Sequence, residues 1–159
     1  MTTAIYAGSF DPFTLGHLDI LKSSAEIFDT VIIAVAYNPE KKGFIPVDDR
    51  VELIKKSVIS IQNIEVYSFN GLTVEFAKQH NAKILIRGLR DSKDFEYENQ
   101  LARINSTLNP EIKTVFLTAN PQNVAISSTA VKELVSHKCD LTQFVPNPVK
   151  DYLMQKFYV

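Results

Sequence analysis

The sequence predicts a doubly wound α/β fold, in which five parallel strands form one sheet with helices packed on both faces. Apolar and β-branched runs recur along the chain, such as TVIIAVAY at 30–37 and TVFLT at 114–118, and such runs are typical of strands covered on both faces. Segments with the periodicity of amphipathic helices separate these runs. Strands that alternate with helices form parallel sheets with right-handed crossovers, which makes the predicted fold Rossmann-like.

Each predicted element has its own sequence signal. The strand patterns cover residues 4–7, 30–37, 64–69, 83–87 and 114–118. Helical patterns cover residues 17–28, 47–60, 73–81, 92–108, 128–136 and 147–157. In the first helix, Leu18, Leu21 and Phe28 fall on one apolar stripe. The second helix carries Asp48 and Asp49 in its first turn, where the helix dipole favours negative charge.

Length and composition restrict the class of protein. At 159 residues, the chain is predicted to be one domain spanning 1–159, with a sizeable core. The net charge of −1 gives no basic field that would attract nucleic acid or an anionic membrane. The single Cys139 excludes an internal disulfide and a cysteine-based metal cluster. No apolar run reaches the ~18 residues that span a bilayer, and the first strand leaves no room for a signal peptide. We therefore expect a cytoplasmic protein.

The loops that follow the predicted strands carry most of the chemistry-bearing residues. They read GSFDPFTLGH (8–17), NPEKKGF (38–44), NGLT (70–73), RGLRDSKDFEYE (87–98) and ANPQNVAISST (119–129). In doubly wound sheets, ligands bind beyond the carboxyl ends of the strands, where the strand order reverses. Glycines, basic side chains and hydroxyl groups are therefore predicted to gather at one edge of the sheet.

The first of these loops has the composition of a phosphate cradle. Gly8 and Gly16 allow the backbone to approach a ligand closely, and the helix beginning near Thr14 or Leu15 offers free N–H groups to an anion. His17, in the first turn, adds a ring N–H donor. An ordinary strand-to-helix turn, with His17 as a capping or packing residue, explains the same residues.

Two further loops offer groups that bind phosphate. Arg87 and Arg90 are close in sequence, and arginine binds phosphate through paired donors. Ion pairs with acidic neighbours are the alternative, the candidates being Asp91, Asp94, Glu96 and Glu98. Ser127 is a good N-cap, so Ser128 and Thr129 are predicted to expose hydroxyl and N–H groups in the first turn of the next helix. Lys41 or Lys42 is a further candidate, or simply a solvated lysine.

In these motifs, the chain resembles the bacterial phosphopantetheine adenylyltransferases, members of the nucleotidylyltransferase superfamily. TLGH at 14–17 is the superfamily's T/H-x-G-H motif, whereas RGLR at 87–90 and DFEYE at 94–98 are typical of this family. The resemblance extends over essentially the whole chain. It implies a reaction in which ATP and 4′-phosphopantetheine give dephospho-coenzyme A and pyrophosphate. It also implies Mg²⁺ entering with ATP, no metal site of the protein's own, and a homohexamer.

The resemblance also implies roles for particular residues. Those expected to hold phosphopantetheine are Ser9, Lys41, Thr73 and Arg87. Those expected to line the ATP site are Ser9, Phe10, His17, Gly88, Leu89, Arg90, Glu98, Asn123, Val124, Ala125, Ile126, Ser127, Ser128 and Thr129. Among these, His17, Lys41, Arg87 and Arg90 are expected to be catalytic. Val124 stands where relatives often carry an aromatic residue, which removes stacking on adenine from that position.

A direct in-line attack suits these residues. Near neutral pH, a phosphate monoester with a second pKa of about 6 is largely a dianion, so it needs no strong base. The protein has only to align the attack and stabilise charge on the α-phosphate. The rival functions are a sister enzyme that uses nicotinamide mononucleotide or glycerol 3-phosphate, and a regulatory module that binds ATP without turnover.

Overall fold

The structure, a computed structural model, describes residues 1–159. Its five strands are β1 (Thr3–Gly8), β2 (Thr30–Ala36), β3 (Ile64–Phe69), β4 (Ile84–Leu89) and β5 (Lys113–Thr118). All pairs are parallel, and the order across the sheet is β3-β2-β1-β4-β5. The predicted doubly wound α/β fold is confirmed. The order of the strands reverses between β1 and β4, which is where such sheets bind their ligands.

Six helices connect and cover the strands: α1 (Leu15–Ile27), α2 (Val47–Ser57), α3 (Thr73–Gln79), α4 (Ser92–Leu108), α5 (Ser128–Ser136) and α6 (Asn147–Phe157). The predicted bounds of α4, α5 and α6 are confirmed. The second helix ends earlier than predicted, at Ser57 rather than residue 60, and α3 ends at Gln79, two residues before the left-handed Asn81. No helix has both the length and the apolar composition needed to cross a membrane.

The sheet separates two apolar clusters, because successive side chains of a strand point to opposite faces. Along β1, Tyr6 belongs to a cluster of 23 buried residues that includes Leu21 of α1. Its neighbour Ile5 belongs to a second cluster of 11 residues that includes Phe76 of α3. Strand β5, at the edge of the sheet, has no fully buried residue. The core is therefore centred on β1, β2 and β4, which carry the first, second and fourth loops.

Candidate active site

A cleft of about 350 Å³ lies at the carboxyl ends of β1 and β4, where the strand order reverses. The first loop, the start of α1, the end of β4, and the segment before α5 form its walls. It brings together most of the predicted site residues: Ser9, Phe10, His17, Arg87, Gly88, Leu89, Arg90, Glu98, Asn123, Ile126, Ser127, Ser128 and Thr129.

Four of the predicted site residues do not line this cleft. Lys41 lines a separate hollow, together with Lys42 and Lys156. Thr73 begins α3, after the edge strand β3. Lys41 follows β2 and Thr73 follows β3, and both strands lie farther from the reversal point than β1 and β4. The two residues are therefore at the same edge of the sheet as the cleft but beside it. Val124 and Ala125 lie between cleft residues without lining the cleft themselves.

His17 both caps α1 and faces the cleft. Its backbone N–H donates to the Thr14 hydroxyl at 3.3 Å, and its ring Nδ1 accepts from the Thr14 backbone N–H at 3.0 Å. The ring also packs on Phe13 and against the edge of Phe10, with centroids 5.7 and 5.0 Å away. The capping and packing interpretation of His17 is therefore confirmed.

This capping arrangement sets the chemistry of the ring. Because Nδ1 accepts a backbone N–H, the proton of the neutral ring lies on Nε2, which makes no hydrogen bond within the protein. Burial, with Arg90 and Arg87 adding to its effect, lowers the pKa of His17 to about 4. Near neutral pH, His17 therefore presents an uncharged N–H donor to the cleft.

Arg87 and Glu98 form a paired ionic contact in the cleft wall. The Nε and Nη2 groups of Arg87 donate to the two carboxylate oxygens of Glu98 at 2.6 and 2.7 Å. Its Nη1 donates to the Ala7 carbonyl at 2.8 Å. The Glu98 side chain is only 11% exposed. The ion-pair alternative for Arg87 is thus confirmed, but the pair lines the cleft, and the guanidinium keeps further N–H donors for a ligand.

Arg90 also has an acidic partner, in a more exposed position. Its backbone N–H and its Nε both donate to one oxygen of Asp94, at 3.0 and 3.1 Å. Asp94 lies in the first turn of α4, which the Asp91 side chain caps. Since an exposed ion pair contributes little free energy, the Arg90 guanidinium can exchange this contact for an anionic ligand.

Side-chain hydrogen bonds join the segment before α5, and the start of α5 itself, to α1 and to the first loop. The Ser127 hydroxyl accepts from the Ala130 N–H, which confirms Ser127 as the N-cap of α5. The Ser128 hydroxyl donates to the Pro12 carbonyl at 2.8 Å, so the expectation of an exposed Ser128 hydroxyl is wrong. The free N–H groups at the start of α5 line the cleft together with Thr129.

The glycines serve close packing. Gly88 lies inside β4. A Cβ atom there would lie 3.1 Å from Cγ1 of Ile20 in α1, so glycine lets helix and strand approach each other. At Gly8, a Cβ atom would lie 3.2 Å from the Phe10 ring. Phe10 itself has a φ of 47°, a left-handed conformation that turns its ring back over β1.

Comparison with known proteins identifies the family. The cytidylyltransferase-like family model matches residues 5–134. The phosphopantetheine adenylyltransferase of Caldanaerobacter subterraneus subsp. tengcongensis is 47% identical over 99% of this chain and 98% of its own length. Those of Actinobacillus pleuropneumoniae serotype 3 and Vesicomyosocius okutanii are 46% and 44% identical, over 97% and 96% of this chain and 98% and 97% of their own lengths. The chain belongs to the phosphopantetheine adenylyltransferase family.

The resemblance inferred from the sequence motifs is thereby confirmed. Phosphopantetheine adenylyltransferases share their fold with more distant proteins. A putative nicotinate-nucleotide adenylyltransferase from Vibrio parahaemolyticus superposes with a TM-score of 0.73 over 97% of this chain and 99% of its own, at 15% identity. At that identity, the likeness concerns the fold alone.

Sequence reasoning missed two buried charged residues that position the first loop of this family member. Asp11, 8% exposed, accepts the backbone N–H groups of Phe44 and Ile45, both at 2.8 Å. Arg50 of α2, 6% exposed, donates to the carbonyls of Ser9 at 2.6 Å, Ile45 at 3.0 Å and Ala36 at 3.2 Å. A signal for Arg50 was present, because it falls on the apolar stripe of α2.

Proposed function

We propose that this chain transfers the adenylyl group of ATP to 4′-phosphopantetheine, giving dephospho-coenzyme A and pyrophosphate. The observation that carries the proposal is the convergence of His17, Arg87, Arg90 and the N-terminus of α5 in one cleft at the reversal point of the sheet. The proposal is further supported by the names of relatives that are 44–47% identical over nearly the whole chain.

On the ATP side, His17 is the group proposed to stabilise the α-phosphate. Its Nε2–H donates a hydrogen bond to a non-bridging oxygen whose negative charge grows during the reaction. Because the ring is held by Thr14 and packed on Phe13, the donor is already in position before the ligand arrives. Arg90 and the N–H groups at the start of α5 hold the β- and γ-phosphates.

On the acceptor side, Arg87 positions the phosphate of 4′-phosphopantetheine, assisted by Ser9 and by Thr73 and Lys41 from the loops after β3 and β2. An oxygen of this phosphate forms a bond to the α-phosphorus of ATP as the bond to the pyrophosphate oxygen breaks. The nucleophile is already deprotonated near neutral pH. No base and no covalent enzyme intermediate are needed, so alignment and charge stabilisation account for the rate.

Mg²⁺ is proposed to enter with ATP. The cleft carboxylates Asp94 and Glu98 both accept hydrogen bonds from arginines, and no group of three or more His, Cys, Asp or Glu is placed to hold a metal. With its two carboxylates paired to arginines, the cleft fits an ion held mainly by phosphate oxygens and water, as Mg²⁺ is at many ATP sites. When bound, the ion neutralises charge on the departing pyrophosphate.

We further propose that the protein is a homohexamer in the cytoplasm. Support for an oligomer comes from α4, whose 17 residues include a single buried one, Glu98. Large apolar side chains stand exposed on this helix, namely Phe95, Tyr97, Ile104 and Leu108, between 45% and 61% accessible. Exposed apolar surface of this kind marks protein–protein contacts.

The test of the proposed function is pyrophosphate release from ATP and Mg²⁺, with and without 4′-phosphopantetheine. We expect release only when the acceptor is present, and formation of dephospho-coenzyme A in equal amount. Parallel reactions with nicotinamide mononucleotide and glycerol 3-phosphate test the sister activities. If no acceptor supports release while ATP still binds, the chain is a nucleotide-binding module and the proposal is wrong.

A further inference from the structure

Tyr6 brings to the cleft a hydroxyl group that has no hydrogen-bond partner within the protein. The residue lies on β1, is 5% exposed, and lines the cleft. Its ring packs edge-on against Phe10, with centroids 5.1 Å apart. The phenol makes no hydrogen bond within the protein, unlike the hydroxyl groups of Tyr67, Tyr152 and Tyr158. Because Tyr6 lines the cleft, its hydroxyl is open to a ligand there.

The surroundings of the phenol point to an anionic partner. Gly88 lies beside it, since a Cβ atom at that position would be 3.7 Å from the Tyr6 oxygen. Arg87 and Glu98 are the charged groups close enough to act on its ionisation. Burial raises the pKa of Tyr6 far above its ordinary value, with Arg87 opposing and Glu98 adding to the effect. The phenol therefore remains protonated and can donate a hydrogen bond to an anion.

We infer that the Tyr6 hydroxyl donates a hydrogen bond to the phosphate of the acceptor, beside the guanidinium of Arg87. This inference rests on the proposed function, since it names a further group that binds the acceptor in the same cleft. Glu98 contributes indirectly. By holding Nε and Nη2 of Arg87, it orients the guanidinium so that its remaining donors and the Tyr6 hydroxyl converge on one anion.

The decisive variant is Tyr6→Phe, which removes one oxygen and leaves the ring packing in place. We expect the KM for 4′-phosphopantetheine to rise about tenfold, the effect of losing one hydrogen bond to a charged group. The KM for ATP should change less than about twofold, and the melting temperature should not fall, because the fold makes no use of the hydroxyl. Isothermal titration of 4′-phosphopantetheine without ATP should show the same weakening. Tyr67→Phe, on an exposed strand position, is the matched control.

The outcomes separate this inference from the proposed function. If the wild-type chain forms no dephospho-coenzyme A, the proposed function fails, whatever Tyr6 does. If the wild type is active and Tyr6→Phe binds the acceptor normally, the role of Tyr6 is wrong while the function stands. A fall in kcat with unchanged KM for the acceptor would also overturn the assignment, because it would place the hydroxyl on the transition state rather than on the bound acceptor phosphate.

Discussion

At the scale of single residues, the cleft uses side chains that serve both the fold and the chemistry. His17 completes the cap of α1 through Nδ1 and turns Nε2 toward the cleft. Arg87 closes an ion pair with Glu98 and keeps donors for a ligand. A substitution at either position removes a structural contact and a functional one together, so the effect of each is compared with that of a control variant.

The first prediction concerns His17. The variant His17→Ala should lower kcat by roughly 10²–10³, the cost of losing one preorganised donor to a developing oxyanion. It should also destabilise the fold by about 1–3 kcal/mol, because the buried Thr14 N–H loses its acceptor. His17→Gln is the matched control, since a glutamine at this helix position can restore the cap without supplying the ring donor. Steady-state kinetics and urea unfolding measure both effects. A stable His17→Gln variant with normal turnover would contradict the catalytic role.

The second prediction concerns pH. The pKa of His17 is about 4 in the folded protein, against an ordinary value of 6.5. Between these values, the unfolded chain binds a proton that the folded protein does not, so the free energy of unfolding falls as pH drops from 6.5 toward 4. Urea unfolding at pH 7 and pH 5 should show a larger loss in the wild type than in His17→Gln. Equal losses would mean that the ring titrates normally.

The third prediction separates the two substrates at Arg87. Arg87→Ala should weaken binding of 4′-phosphopantetheine by about 2–5 kcal/mol, because a desolvated phosphate loses its paired donors. Binding of ATP should change far less. Titration calorimetry with each ligand measures the difference, with Arg103→Ala on the exposed face of α4 as the control. Equal weakening of both ligands would contradict the proposed division between acceptor and ATP.

At the scale of elements, the site depends on loops that are connected to one another and to the helices by hydrogen bonds. Asp11 accepts hydrogen bonds from the loop after β2, and Arg50 of α2 donates a hydrogen bond to the Ser9 carbonyl. On the other side, Ser128 holds Pro12, and Asn123 donates to Asp19 of α1 at 2.5 Å. The first loop is therefore held from both sides before any ligand binds, which is the preorganisation that charge stabilisation requires.

The fourth prediction tests these connections through Asp11. Asp11→Ala leaves the N–H groups of Phe44 and Ile45 without their acceptor, and Ile45 is 1% exposed. We expect a loss of about 2–4 kcal/mol in the free energy of unfolding, measured by urea titration. Asp140→Ala, which removes an exposed local contact with Thr142, should cost less than about 1 kcal/mol. Similar losses in the two variants would show that the buried contacts add no stability beyond that of a surface turn.

At the scale of the whole molecule, the two edges of the sheet differ in how well they are covered. No residue of β5 is fully buried, and α4 beside it exposes a row of apolar side chains. By contrast, β1 and β2 lie in the middle of the core with residues such as Ile33 and Val35 wholly inaccessible. The less covered side is the one to which the proposed oligomer assigns its subunit contacts.

The fifth prediction tests assembly through this side. A charge at Ile104, which is 55% exposed on α4, should break subunit contacts and raise the dissociation constant by about 10² or more, because an unpaired charge in an interface is costly. Sedimentation velocity of Ile104→Asp should show smaller species than the wild type. The same change at Met154 of α6, 42% exposed, should leave assembly intact. A monomeric wild type would contradict the proposed oligomer.

The sequence by itself determined the parallel α/β sheet, most helix bounds, and the loops that form the site, because these follow from apolar periodicity and from the rule that ligands bind at the carboxyl ends of strands. The motifs TLGH, RGLR and DFEYE were enough to identify the family. Only the tertiary structure decided which partner each charged group takes. Arg87 pairs with Glu98 across 11 positions, Asp11 meets residues 33 and 34 positions away, and Lys41 stays outside the cleft. Such contacts depend on how distant segments pack, and no local pattern records that packing.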